Sequence, residues 1–153
     1  MEFQDSLREG GYGEHAIWNL FIKQPWVRNV VDVRDDKDFQ EKDIDFLIED
    51  RNRQFTPVEV KTDFKAHETG NIVYEATTSN HIGCFEKTQA KYIMYFIPEK
   101  KEAHMIDVVA LRTYLHEVRP EEKKMGDNST GFLLPIEDLK MRGVIRRTYE
   151  GVM

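Results

Sequence analysis

Apolar and polar positions change period several times along the chain, and each change marks an element. Residues 13–23 (GEHAIWNLFIK) put Ile17, Trp18, Phe21 and Ile22 on one face at helical spacing, which predicts a helix. The glycines at 10, 11 and 13 mark its irregular lead-in, and Pro25 marks its end. Residues 26–33 (WVRNVVDV) read as a strand, and 35–42 (DDKDFQEK) as a polar loop. Ile44, Phe46 and Ile48 alternate with Asp45, Leu47 and Glu49, a strand of period two. After a turn at 51–53, residues 55–61 (FTPVEVK) form a third strand with Val58 and Val60 on one face. Short connections predict an antiparallel meander. Residues 71–76 read as a fourth strand, 85–91 as a short helix, 92–97 (YIMYFI) as a strongly apolar strand, and 103–106 as its hairpin partner. Asp107 is placed to cap a helix running to His116. Residues 117–129 have no apolar period and predict a mobile loop. Residues 131–135 predict a short strand, with Pro135 in the first turn of a closing helix. The order predicts a mixed α/β domain over residues 1–153, built around one central sheet.

Composition fits a single domain. The 153 residues are 40% hydrophobic, enough to bury a core without disulfides or structural metal. A net charge of −6 argues against a broad basic coat for nucleic acid. The balance is uneven: residues 1–76 carry 10 basic and 17 acidic side chains, and residues 77–153 carry 12 and 11. The lone cysteine, Cys84, allows no internal disulfide and no cysteine-built metal site. The opening MEFQDSLREGGYG lacks the basic flank and apolar core of a signal peptide, and no apolar run approaches a membrane span. The expectation is a cytoplasmic protein with no membrane partner.

The chemistry concentrates on Asp45, Glu59 and Lys61. Side chains at i and i+2 of a strand share a face, so Glu59 and Lys61 emerge together while Val58 and Val60 point the other way. If the two strands pair as a hairpin, Asp45 lies across from Glu59. Converging carboxylates repel unless one is protonated or a cation is shared. Magnesium, a hard oxygen-seeking ion, resolves that conflict where phosphate is the substrate, and Lys61 would orient water or balance phosphate charge. The same E-x-K pattern also suits a solvated strand edge with a cross-strand salt bridge. Glu14 shares a helix face with Ile17, Trp18 and Phe21. It is therefore either a paired or metal-bound carboxylate on an apolar stripe, or a first-turn acid favoured by the helix dipole.

Gly13-Glu14 in the first helix, Asp45 in DIDFLI and Glu59-Val60-Lys61 in VEVK resemble the PD-(D/E)XK nuclease superfamily, especially the small Holliday-junction resolvases and restriction-type nucleases. The pieces fall in that family's order, with thirteen residues between Asp45 and Glu59. Ile44 stands where the family's naming motif has proline, and Asp43 is a rival to Asp45. The resemblance implies a restriction-endonuclease-like αβββαβ core, a central mixed sheet flanked by helices. It implies Mg²⁺, with Mn²⁺ able to substitute, bound by Asp45, Glu59, the Val60 carbonyl and Glu14, and a water positioned by Lys61. It further implies a homodimer hydrolysing DNA phosphodiesters, with Gln89 and its neighbours Lys87 and Lys91 as DNA contacts.

Other polar residues show weaker patterns. The histidines at 15, 67, 81, 104 and 116 have no zinc-site spacing and read as surface or packing residues. Arg34 and Lys65 are phosphate-contact candidates against a default of solvated charge. Lys140, Arg142, Arg146 and Arg147 form a basic cluster suited to backbone contacts or to a polar helix face. Tyr12, Trp18, Trp26, Tyr92 and Phe96 fall on apolar periods and are expected in the core. Residues 77–81 read as a polar turn, and Cys84 as inert. Three functions remain open on these grounds: a magnesium-dependent endonuclease, a nuclease-fold module without cleavage activity that binds DNA or assembles proteins, and a protein-interaction domain.

Overall fold

The core of the protein is a six-stranded sheet whose central strand is apolar on both faces. The structure, a computed structural model, describes the backbone of residues 3–78, 81–82, 84–125 and 129–153, and the side chains of residues 11–76, 85–125 and 129–153. Helix α1 (Phe3–Ile22) leads into the antiparallel meander β1 (Val27–Asp32), β2 (Phe46–Asp50) and β3 (Phe55–Thr62), with the short helix α2 (Lys37–Glu41) between β1 and β2. Helix α3 (Ala66–Thr69), strands β4 (Asn71–Thr78) and β5 (His81–Ile82) and helix α4 (Cys84–Lys87) then carry the chain to β6 (Tyr92–Ile97), which pairs parallel to β3. β7 (Glu102–Asp107) returns antiparallel to β6, and β10 (Ile145–Glu150) pairs with β7. The sheet order is β1-β2-β3-β6-β7-β10.

Alternation along β6 explains its unbroken apolar run. Met94 and Phe96 pack toward α1 with Ala16, Ile17, Phe21, Phe46 and Val58. Ile93, Tyr95 and Ile97 pack on the opposite face with Tyr74, Leu111, Leu134 and Leu139. A strand buried on both sides must be apolar at every position. That second face is covered by another sheet, of order β5-β4-β9-β8, and by helices α5 (Val108–Val118) and α6 (Ile136–Met141). Its remaining strands are β8 (Lys123–Lys124) and β9 (Ser129–Pro135).

Several sequence expectations are corrected. Among the described residues there are two sheets, because β4 pairs with the distant β9 rather than joining the meander. Helix α1 runs through the glycines instead of starting at them. Gly13 is required there by close packing: a Cβ would sit 1.7 Å from Thr62 Oγ1 on β3. The polar stretch 35–42 holds α2, capped by the Asp36 carboxylate, which accepts from the Asp38 amide at 2.9 Å. The helix expected over 85–91 stops at Lys87. The amides that would extend it are bonded elsewhere, Gln89 N to Lys42 O, Ala90 N to Thr88 Oγ1 and Lys91 N to Pro57 O. The stretch 117–129 contains the end of α5 and the strand β8, while residues 126–128 lie outside the described residues. Arg146 and Arg147 belong to the edge strand β10, not to a polar helix face. Tyr12 is 48% exposed, against its expected place in the core. The Asp107 cap is present, its carboxylate accepting from Ala110 N at 3.0 Å. Among the described residues no helix is long and apolar enough to cross a membrane.

Candidate active site

Strand β3 outruns its partner, and the candidate site lies where β2 gives out. The β2–β3 ladder pairs Phe46 with Val58, so extending it by one residue sets Asp45 opposite Glu59. Backbone bonds hold Asp45 on both sides: its amide donates to Val58 O at 2.9 Å, and its carbonyl accepts from Val33 N at 3.1 Å. Its carboxylate Oδ2 accepts from Val60 N at 2.8 Å. The N–H and C=O of one strand residue point to the same side. The Val60 carbonyl is therefore directed toward Asp45 as well, past the end of β2.

Glu59 is only 6% exposed, and its Oε2 has no hydrogen-bond partner. Burial pushes its pKa up to about 8, opposed by Lys61 and a Thr88 hydroxyl contact and reinforced by Asp43 and Asp45. Burial likewise raises Asp45 to about 6, reduced by the Val60 amide and increased by Glu14. Lys61 lies on the Glu59 face of β3, with Nζ 6.0 Å from the centre of the Phe85 ring. The rival, Asp43, has a left-handed backbone (φ 55°) and a buried Oδ2 without a partner. Its other oxygen stands 3.8 Å from Lys87 Nζ.

Glu14 approaches from α1. Arg34 Nη1 donates to it at 2.6 Å, while Arg34 Nη2 donates to Asp32 at 2.7 Å and the guanidinium lies over the Phe46 ring. These partners raise the Arg34 pKa, Asp32 foremost, and Arg34 lowers that of Asp32. Glu14 is thus within electrostatic reach of Asp45 but is bonded to arginine.

The structure brings Asp45, Glu59, the Val60 backbone and Lys61 together, with Glu14 adjacent. The expected DNA contacts lie at and just after the end of α4. Lys87 faces Asp43, and Gln89 is exposed beside Lys42. Lys91 lies over the Tyr92 ring and lines a cavity on the α1 side of the sheet. Lys65 is exposed, and Lys140 and Arg142 pair with Glu137 and Asp138 on their own helix. The side chains of residues 77–81 and of Cys84 lie outside those described. Sequence reasoning missed Thr88, which is buried and donates from its hydroxyl to Asp43 O at 3.2 Å. Nothing in the local pattern KTQAK marks it.

Do these residues fit a divalent ion? Two carboxylates and a strand carbonyl are hard oxygen donors of the kind Mg²⁺ takes, with water and phosphate completing its shell. The unpartnered, buried Glu59 oxygen is a vacant acceptor, which native interiors rarely leave without a purpose. Among the described residues, no three of His, Cys, Asp and Glu stand together as a ready-made metal cluster. The fit is therefore to the pair Asp45–Glu59 plus carbonyl, with Glu14 available only if Arg34 releases it.

No family model matches the chain, and no curated protein matches it. Among solved structures it is similar to a bacterial homing endonuclease, I-Ssp6803I, with a TM-score of 0.51 over 69% of this chain and 71% of that one, at 18% identity. The chain has a restriction-endonuclease-like α/β fold, the fold expected from the PD-(D/E)XK resemblance: a mixed six-stranded sheet with flanking helices.

Proposed function

We propose that the protein is a divalent-metal-dependent DNA endonuclease that hydrolyses phosphodiester bonds. The observation that carries this reading is the buried Glu59 carboxylate, whose Oε2 has no hydrogen-bond partner, set in register with Asp45 and two residues from Lys61. Asp45, Glu59 and the Val60 carbonyl would hold Mg²⁺ or Mn²⁺, with Glu14 joining them. When bound, the ion supplies Lewis acidity at the phosphate and offsets the carboxylates' mutual repulsion. Lys61 orients the attacking water and faces the charge that develops on the phosphate. The Val60 amide fixes the Asp45 carboxylate, so this ligand needs no reorganisation. A duplex has two strands to cut, which makes a pair of chains the expected working unit.

Cleavage of plasmid, nicked, flapped and four-way DNA with Mg²⁺ or Mn²⁺ tests the reading. Glu59→Gln and Lys61→Ala should each reduce the rate by roughly a hundred-fold or more, with folding retained. Inactivity of the wild type on every substrate, together with no calorimetric Ca²⁺ or Mn²⁺ binding, would refute it. A second reading, a nuclease-fold DNA-binding module without cleavage, draws on the Arg34–Glu14 pair, which occupies one carboxylate of the set. Salt-sensitive DNA binding with no dependence on metal would favour that module.

A further inference from the structure

The α1 face of the sheet carries a second feature, which does not rest on the nuclease reading. Register places Ile48, Thr56, Val58, Tyr92, Met105, Arg147 and Tyr149 on this face, with Glu59 and Lys61 on the opposite one. Helix α1 covers part of the face. At its C-terminal end, around Phe21 and Trp26, a cavity of about 410 Å³ opens over the early part of β3 and β6. That volume is within the range of small-ligand sites.

Two properties of the cavity point to one class of ligand. Its wall is aromatic, with Trp26, Tyr92 and Tyr149. Among the described residues, its charged lining groups are the cations Lys91, Arg146 and Arg147. Arg146 is steadied by Asp107, accepting from its Nε and Nη2 at 3.2 and 3.1 Å. Lys91 Nζ lies 5.4 Å from the Tyr92 ring centre. Arg147 has no acidic partner among the described residues. In a chain of net charge −6, three cations against the one carboxylate of Asp107 make this a local reversal of sign.

We infer that this cavity is a nucleotide-binding site, separate from the carboxylate site, which takes a heteroaromatic base against Trp26 and Tyr92 and a phosphate against Arg147 and Lys91. Aromatic faces accept any base by stacking. The fork of Arg147 suits phosphate oxygens. Because the sheet lies between the two sites, a nucleotide here does not occupy the scissile position. A free mononucleotide and a terminal or unstacked nucleotide of a strand present the same chemistry.

The test is ¹H–¹⁵N NMR of the two tryptophan indoles in the full chain, with EDTA present so that metal plays no part. The probes are the deoxynucleoside monophosphates, a 5′-phosphorylated single-stranded oligonucleotide, and inorganic phosphate. The Trp26 indole resonance should shift saturably, with a dissociation constant of about a millimolar or below. Saturation by the mononucleotides identifies a free-nucleotide site, and saturation by the oligonucleotide alone a strand site; both support the proposal. Arg147→Ala should weaken binding by roughly ten-fold and Arg147→Lys by less, while Glu59→Gln should leave it intact. The NMR spectra of these variants also report whether they fold. Absence of a saturable shift with every nucleotide, equal binding of inorganic phosphate, or wild-type affinity in Arg147→Ala would overturn the proposal. So would a shift that follows protein concentration and disappears in Arg147→Glu, since the face would then be a contact between copies.

Discussion

Glu59 sets the metal-free protein against itself. The unfolded chain releases its proton near pH 4.5, and the folded chain near pH 8 because of burial. Across that window the folded state holds the extra proton, so stability falls as pH rises; the contribution present below pH 4.5 is gone once pH passes 8. Asp45, raised from 3.8 to about 6, acts in the same direction at lower pH. His104 opposes them. It is fully buried, bonds Thr148 through Nδ1 at 2.9 Å, and has its pKa lowered from 6.5 to about 4 by burial, so it loses stability as pH falls through that range. Glu59→Gln should therefore stabilise the metal-free protein at pH 8 by on the order of 2 kcal/mol and flatten the alkaline limb. Denaturant melts with EDTA across pH check this, and an unchanged limb would mean that the buried charge is not the cause. Calcium should raise the wild-type melting temperature at pH 8 and leave Glu59→Gln unmoved. The pairing of Glu59 with Lys61 was legible from strand period two, and the place of Asp45 from hairpin spacing. Thr88 and the Arg34–Glu14 bond were not, because they depend on segments brought together only by tertiary packing.

At the scale of elements, the approach of α1 to β3 determines whether Glu14 reaches the site at all. Alanine is ordinarily preferred to glycine inside a helix by about 1 kcal/mol. At Gly13 the clash with Thr62 Oγ1 at 1.7 Å outweighs that preference. Gly13→Ala should destabilise by about 1–3 kcal/mol and displace the neighbouring Glu14. Thr62→Ala removes the nearest contact but leaves the residue-62 Cβ at 3.0 Å, so the double variant should recover part of the loss. A double-mutant cycle on unfolding free energies measures the coupling, and additivity would remove Thr62 from the explanation. The three glycines misled the reading of the helix start because glycine commonly breaks helices, whereas here it provides closeness. β10 was missed for a related reason. Its charges, Arg146 and Arg147, sit on an edge strand with a bulge between Ile145 and Arg147, which breaks the period-two signal. The β4–β9 pairing joins segments about sixty residues apart, and no local pattern specifies such a partner.

Across the whole molecule, the sheet separates two electrostatic environments. Carboxylates gather at the end of β2 on one face, and cations line the cavity on the other. The seventeen acids of residues 1–76 argue against broad DNA attraction, yet only Glu14, Asp45 and Glu59 belong to the proposed metal site. A divalent ion bound there would reverse the local sign at that one place. Duplex binding should accordingly depend on the ion more than on the protein's overall charge. In Ca²⁺, affinity for a duplex oligonucleotide should exceed the EDTA value by roughly ten-fold or more. Asp45→Asn should bind better than wild type in EDTA, because it removes a repelling charge without adding a ligand. The dependence of log K on log salt should be shallow, corresponding to roughly two to four phosphates, since the basic residues are dispersed and Arg34, Lys140, Arg142 and Arg146 are held in ion pairs. Fluorescence anisotropy over a salt series measures all three quantities. Tight binding in EDTA with a steep salt slope would instead locate a continuous basic face, and the carboxylate site would then not be where DNA is held.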